Sequence, residues 1–359
     1  YVGGRLVREL LRAGHDVRVL ARTPEKLRDL PWADDVDVVA GDADDADAVA
    51  RALADVDIAY YLLHSLQQGS GLEDHERELA TVFADQARRS KPRRIVYLGG
   101  LAPDMPARSM SAHMRSRVEV GRILRTSGVS TIEFRAAVII GSGSASFEML
   151  RYLTERLPAM ITPRWVRSKT QPIAIRDVLR YLVHAIDLPD DLNRSFDIGG
   201  PEVMTYQQMM QRYAAVAGLP RRIILPLNVL SPRLSSHWVG LVTPVPRAIA
   251  RPLVASLRHP SVCQEQDIKQ WIPDPPEGLV TFDEAVALAL TRIGEANVMT
   301  RWSGASLPGA PSDPLPGDPT WSGGTLYTDV REIETPATPD ELWSALDRIG
   351  GDTGWYSAR

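Results

Sequence analysis

Short apolar runs alternate with stretches of helical spacing along the first third of the chain. Leu6 and Leu10, with Val7 and Leu11, recur at i, i+4 and give one apolar face to a helix that starts with the first residues. Gly14 stops that helix. Residues 17–21 and 36–40 read as compact β runs, with Thr23 and Pro24 opening a second helix between them. Residues 47–53 are helical, 57–63 form a third run, and 74–89 form a helix with Leu79, Val82, Phe83 and Ala87 inward. A strand at 94–98, a helix at 111–127 and a run at 130–140 complete the series. Such alternation, with nearly continuous apolar strands, predicts an α/β fold whose parallel sheet is covered on both faces. Right-handed crossovers make that sheet doubly wound, and ligands then bind at the carboxyl ends of its strands.

After Ser142 the pattern changes. Residues 147–156 are helical, 170–175 extended and 178–186 helical, with Asp177 expected as N-cap. A short strand at 196–198 ends at Gly199-Gly200-Pro201, and Thr205 with Gln208 has capping-box spacing before a helix at 209–216. Pro, Gly and Ser dominate residues 303–324, a linker composition. Residues 325–333 then read as extended and 338–349 as helical, with Thr338 and Glu341 spaced as another capping box. The expected division is a doubly wound domain at 1–145, a smaller lobe sharing elements with it at 146–302, the linker at 303–324, and the start of a truncated α+β domain at 325–359.

Composition removes several classes of function. Of 359 residues, 44% are hydrophobic and 24% charged, as in ordinary globular chains. The net charge of −4 and the lack of a Lys/Arg cluster argue against nucleic acid as a partner. The most apolar region, 223–257, is broken by five prolines and by Arg233, Arg247 and Arg251, so no membrane span is expected. The single cysteine, Cys263, forms no internal disulfide and suits a reducing, cytoplasmic setting. His64 and His75 lack partners at zinc spacing, so no metal site is expected. The segment Gly141-Ser142-Gly143-Ser144-Ala145 departs from the Gly-x-Ser-x-Gly of a nucleophile elbow.

Tyr1-Val2-Gly3-Gly4-Arg5 is a helix start approached through glycine, where backbone N–H groups and the helix dipole favour phosphate. It is followed in order by strands ending in Ala21-Arg22-Thr23, in Gly41-Asp42-Ala43 and in Leu62-Leu63-His64. Later come Arg94-Ile95-Val96-Tyr97-Leu98-Gly99-Gly100, Glu133-Phe134-Arg135, Pro172-Ile173-Ala174-Ile175-Arg176-Asp177-Val178 and Phe196-Asp197-Ile198-Gly199-Gly200. This series resembles the atypical, extended-type short-chain dehydrogenase/reductases, NmrA-like and epimerase-like, over about residues 1–295. The resemblance implies a Rossmann domain that binds NAD(P)(H). Gly3 takes the place of the third glycine in the family's T-G-x-x-G-x-x-G loop, so the chain reads as a fragment without the first strand. Val2, Gly3, Arg22, Thr23, Asp42, Ala43, Leu63, His64, Gly99 and Arg135 are the cofactor-binding residues it implies. Arg22 stands where an acidic residue would hold the ribose of NAD, and its forked donors suit a 2′-phosphate. NADP(H) is therefore expected over NAD(H).

The family's usual catalytic pair is Tyr-x-x-x-Lys on the helix after the fifth strand. Here that spacing carries His113 and Arg117, and the usual Ser/Thr region reads Leu98-Gly99-Gly100. Spacing of four puts both side chains on one helix face. Histidine can move protons near neutral pH, whereas arginine holds its own. The pattern resembles a subgroup that lacks the Tyr-Lys pair and carries a DUF2867-type C-terminal domain. An NADP(H)-dependent oxidoreductase or epimerase-like protein with a degenerate site is expected, acting on a small molecule whose hydrophobic character the apolar lobe suggests. The alternative is a non-catalytic dinucleotide-binding sensor or assembly protein.

Overall fold

In the computed structural model the strands form where β-branched and aromatic runs occur. It describes residues 1–28, 30–64, 71–103, 105–227, 255, 257, 259–295, 298, 300 and 335–346. The expected linker at 303–324, the extended run at 325–333 and most of the apolar 223–257 region lie outside these residues.

Helix α1 (Val2–Arg12) leads into β1 (Val17–Ala21), β2 (Val36–Ala40), α2 (Ala46–Leu53), β3 (Ile58–Tyr61), α3 (Leu72–Ser90), β4 (Arg94–Gly100), α4 (Ala112–Arg125) and β5 (Thr131–Ala136). Gly14 ends α1 with φ of 84°, and its N–H donates to Leu11 O at 3.0 Å. Between β1 and β2 the expected helix is only a 3₁₀ segment, Pro24–Leu27. Pro24 presets the first turn, but Pro31 disfavours helical backbone at Leu30 and leaves no room for more.

All strands of the doubly wound part are parallel. They make two ladders, β1–β2 and β3–β4–β5–β10, the last being Arg194–Ile198. Side chains alternate across the four-stranded ladder. Val96, Ile132, Phe134 and Phe196 enter a core shared with Leu6 and Leu10 of α1 and Val178 and Leu182 of α6 (Ile175–His184). Ala59, Tyr61, Ile95 and Tyr97 enter a second core with α2, α3 and α4. The fold is thus a Rossmann-like, doubly wound α/β fold.

The expected run at 130–140 divides at Ala137. Strand β6 (Ile139–Ile140) leaves the ladder and pairs with β9 (Ile173–Ala174). A third core then forms around α5 (Ala145–Arg156), α7 (Tyr206–Val216) and α8 (Phe282–Gly294). Beside it β7 (Ala159–Pro163) pairs with β12 (Ile223–Leu227), and β8 (Lys169–Thr170) runs antiparallel to β11 (Met204–Thr205). The Thr205–Gln208 capping box is present, as is one at Thr281–Glu284. Asp177 is not an N-cap. Helix α6 starts two residues earlier with Ala174 as N-cap, and the buried Asp177 carboxylate accepts from Val280 N–H at 3.0 Å. Burial raises its pKa to about 6.

The chain divides into two compact units, residues 1–323 and 324–359. In the second, α9 (Pro339–Leu346) begins after Thr338, whose hydroxyl and N–H both bond the Glu341 carboxylate. Among the described residues no helix is long and apolar enough to cross a membrane.

Arg94 is fully buried at the start of β4. It donates to Ala185 O at 2.7 Å, Leu188 O at 2.8 Å and Pro189 O at 2.5 Å, so it satisfies the C-cap carbonyl of α6 and two carbonyls of the turn that follows. Tyr60 adds a bond to Leu182 O at 3.0 Å. Arg94→Met keeps much of the volume but orphans these carbonyls. It is expected to lower unfolding stability by about 3–5 kcal/mol in urea at neutral pH. A loss below about 0.5 kcal/mol would show that the cap is dispensable.

Candidate functional site at the carboxyl ends of the strands

The expected site residues fall into separate groups around the strand ends. Val2 and Gly3 form the half-buried first turn of α1. Val2 packs on the α1–α6 core, and a Cβ on Gly3 would lie 3.8 Å from Leu62 Cδ1, at the end of β3. A Cβ on Gly4 would come within 2.9 Å of Thr300 Cγ2, so this glycine lets a distant segment of the chain approach the helix start. Thr300 Oγ1 donates to Tyr1 O at 2.9 Å and accepts from Arg5 Nε at 3.0 Å.

Arg22 and Asp42 meet at the ends of β1 and β2, 3.6 Å apart and both substantially exposed. Asp42 also accepts from Ala43 N–H at 2.7 Å, which fixes its carboxylate. Thr23 precedes the short 3₁₀ segment without capping it. Gly41 before them is required by packing, because a Cβ there would stand 2.3 Å from Ala48 Cβ of α2.

A third group gathers at the ends of β3 and β4. Ser111 caps α4 through Met114 N–H and aims its first turns at the strand ends. His113 and Arg117 share one face of that helix. The rings of His113 and His64 meet edge to face at 4.8 Å. Arg117 is buried; it donates to Leu63 O at 3.2 Å and Leu98 O at 2.9 Å, lies 3.7 Å from Glu76, and stacks on Tyr97 at 5.0 Å. Enclosure, with the Arg117 charge beside it, pushes the His113 pKa down to about 3. A neutral imidazole follows. Its Nδ1 is buried with no hydrogen-bond partner among the described residues.

Gly99 and Arg135 face the α4 side of the ladder. A Cβ on Gly99 would stand 2.8 Å from Glu133 Oε1. Arg135 pairs with the buried Asp197 at 2.5 Å, across the β5–β10 ladder. Gly100, the next residue of β4, lines a cleft of about 100 Å³, and a Cβ there would stand 3.5 Å from Arg117 Cγ.

Gly100, Ala136, His113 and Arg117, from the doubly wound part, line this cleft together with a second set from the small lobe, Lys169, Thr170, Tyr206, His259 and Ser261. None of the second set stands in the sequence motifs. Thr170 and Ser261 form a parallel bridge across 91 positions, a contact with no local signature. Only the extended reading of 170–175 pointed toward the segment.

Residues 1–130 match the family described as NAD(P)H-binding. The fold is similar to triphenylmethane reductase from Citrobacter sp., at 16% identity and TM-score 0.63 over 80% of this chain and 96% of that one. Its complex with NADP(H) aligns at 18% identity and TM-score 0.61, over 80% and 96%. The Bordetella bronchiseptica enzyme WbmH in complex with NAD+ aligns at 16% identity and TM-score 0.60, over 83% and 96%. A search of curated protein sequences finds no match. The chain is accordingly a parallel-sheet α/β protein with the Rossmann-like fold that these solved structures share, and its first 130 residues match the NAD(P)H-binding family.

Proposed function

We propose that this protein binds NADP(H) across the strand ends and acts as an oxidoreductase or epimerase-like enzyme on a small molecule in the cleft. The observation that carries the reading is His113, a neutral imidazole with an unpartnered, buried Nδ1, in the wall of a cleft at the carboxyl ends of β4 and β5. The residues present suit the cofactor. Arg22 is half-exposed at the end of β1, where it can meet a 2′-phosphate, and Asp42 beside it offers a fixed carboxylate. Val2, Gly3, Thr23, Ala43, Leu63, His64, Gly99 and Arg135 are the further cofactor-side residues in this reading. The nicotinamide, when bound, gives or takes a hydride.

His113 is the group we assign to the substrate oxygen. A neutral imidazole N–H can polarise a carbonyl without first being protonated. Arg117 acts differently from a ribose-binding lysine, since two of its N–H groups already serve Leu63 O and Leu98 O. We assign it to positioning: it holds the floor beneath His113 and supplies positive potential. That same engagement favours the second reading, a dinucleotide-binding sensor or assembly protein without turnover, because it keeps Arg117 from taking the lysine's place.

NADPH and NADH titrations followed by fluorescence test the cofactor. NADPH is expected to bind more tightly, and Arg22→Ala to weaken it about tenfold while changing NADH by less than about threefold. Equal losses would overturn the NADP(H) preference, and no saturable binding of either would sink the whole reading.

His113 has a pH signature. Its pKa lies below that of free histidine, so the folded protein keeps it neutral and its contribution to stability falls as pH drops below about 6.5. Its imidazole resonances are expected not to titrate between about pH 5 and pH 8. A midpoint near 6.5 would refute the enclosed, neutral state. Turnover of quinones, aldehydes or nucleotide sugars is expected to fall about 10²-fold in His113→Ala. Unchanged turnover would remove His113 from the mechanism.

A further inference from the structure

The cleft combines apolar and cationic lining. Leu101, Met114, Ala136 and Val138 line it beside His113 and Arg117, and Lys169, His259 and Ser261 join them from the small lobe. Among the described residues no Asp or Glu lines the cleft. Its two permanent cations differ. Arg117 is buried, bonded to two carbonyls and 3.7 Å from Glu76. Lys169 is exposed and has no ion-pair partner among the described residues.

The backbone beneath Lys169 is fixed on both edges. Thr205 of β11 is its antiparallel partner, and Lys169 O accepts from Ser261 N–H at 2.9 Å on the other side. Ser261 O in turn accepts from Gln171 N–H at 2.9 Å, and the Gln171 side chain ties Gly200 O and Cys263 N–H. A strand held this way fixes where the lysine side chain starts from. Thr170, the next strand residue, turns its buried side chain to the opposite face, so Lys169 is the group of this strand that a ligand can reach. An unneutralised ammonium in a cleft with no acidic lining among the described residues suits a negatively charged acceptor.

We propose that the substrate is an organic anion with an apolar body, whose carboxylate or phosphate is held by Lys169 while the body lies against Leu101, Met114 and Val138. This rests on reading the cleft as the substrate site, and makes Lys169 a specificity-determining residue. His259 lines the same cleft and can add a further hydrogen bond.

Matched naphthalene probes test it by calorimetry: 1-naphthoate, 1-naphthyl phosphate and the neutral 1-naphthalenemethanol. They are titrated into the wild-type chain, Lys169→Met and Lys169→Arg, with and without saturating NADPH. At least one anion is expected to bind the wild type more tightly than the alcohol. Lys169→Met is expected to weaken that anion about tenfold and leave the alcohol unchanged, with Lys169→Arg retaining most of the affinity. The stronger of the two anions identifies the group recognised. No binding of either anion at millimolar concentration, equal affinity of the alcohol, or an unchanged anion affinity in Lys169→Met would overturn the proposal. The NADPH titration reports separately on the cofactor reading, and the arms without NADPH judge the anion site even if that reading fails.

Discussion

The Arg117 guanidinium is the tie on which the cleft depends. From one position on α4 it bonds the carbonyl that follows β3 and one inside β4, lies over Tyr97 and faces Glu76 of α3. Burying a guanidinium costs several kcal/mol, and charge-assisted bonds to two carbonyls plus a nearby carboxylate offset that cost only if all are present. The arrangement therefore locks α3, α4 and the ends of two strands together. It also sets His113: the charge that anchors α4 is one of the two causes that hold the imidazole neutral.

The same sheet face carries further buried charge under α4. Glu133 sits in β5, nearly inaccessible, paired with Arg125. Burial raises its pKa, while the nearby cations Arg125, Arg135 and Arg117 oppose that shift. Its carboxylate reaches this position because Gly99 and Gly121 lack side chains, since a Cβ on Gly121 would lie 2.4 Å from Glu133 Oε1. Both glycines thus make room for a buried carboxylate. Arg94 plays a comparable part at the other end of β4, where it ties down the turn that follows α6.

The small lobe completes the cleft through contacts between distant segments. Strand β6 departs from the main ladder to pair with β9, which brings β8 and Ser261 opposite α4. In the resulting cleft the scaffold supplies His113, Arg117 and apolar side chains, and the lobe adds Lys169, His259 and Ser261. That division suits a common architecture whose specificity changes through the lobe alone.

Periodicity by itself determined the α/β class, the parallel order of strands and most helix bounds, because apolar spacing and capping residues act within a few positions. The Thr205 and Thr338 caps and the Gly14 stop are of this kind. The four-residue spacing also placed His113 and Arg117 on one face. Local rules failed where a side chain answers to a distant group. Asp177 looked like a cap and instead binds Val280 N–H, and 130–140 looked like one strand but divides between two ladders. Only the tertiary structure decided that Arg117 is tied to two carbonyls, that Gly99 faces a carboxylate, and that Lys169 and Thr170 stand in the cleft. The reason is physical. Desolvation and hydrogen-bond satisfaction depend on everything that surrounds an atom, and most of those neighbours lie tens of residues away in the chain.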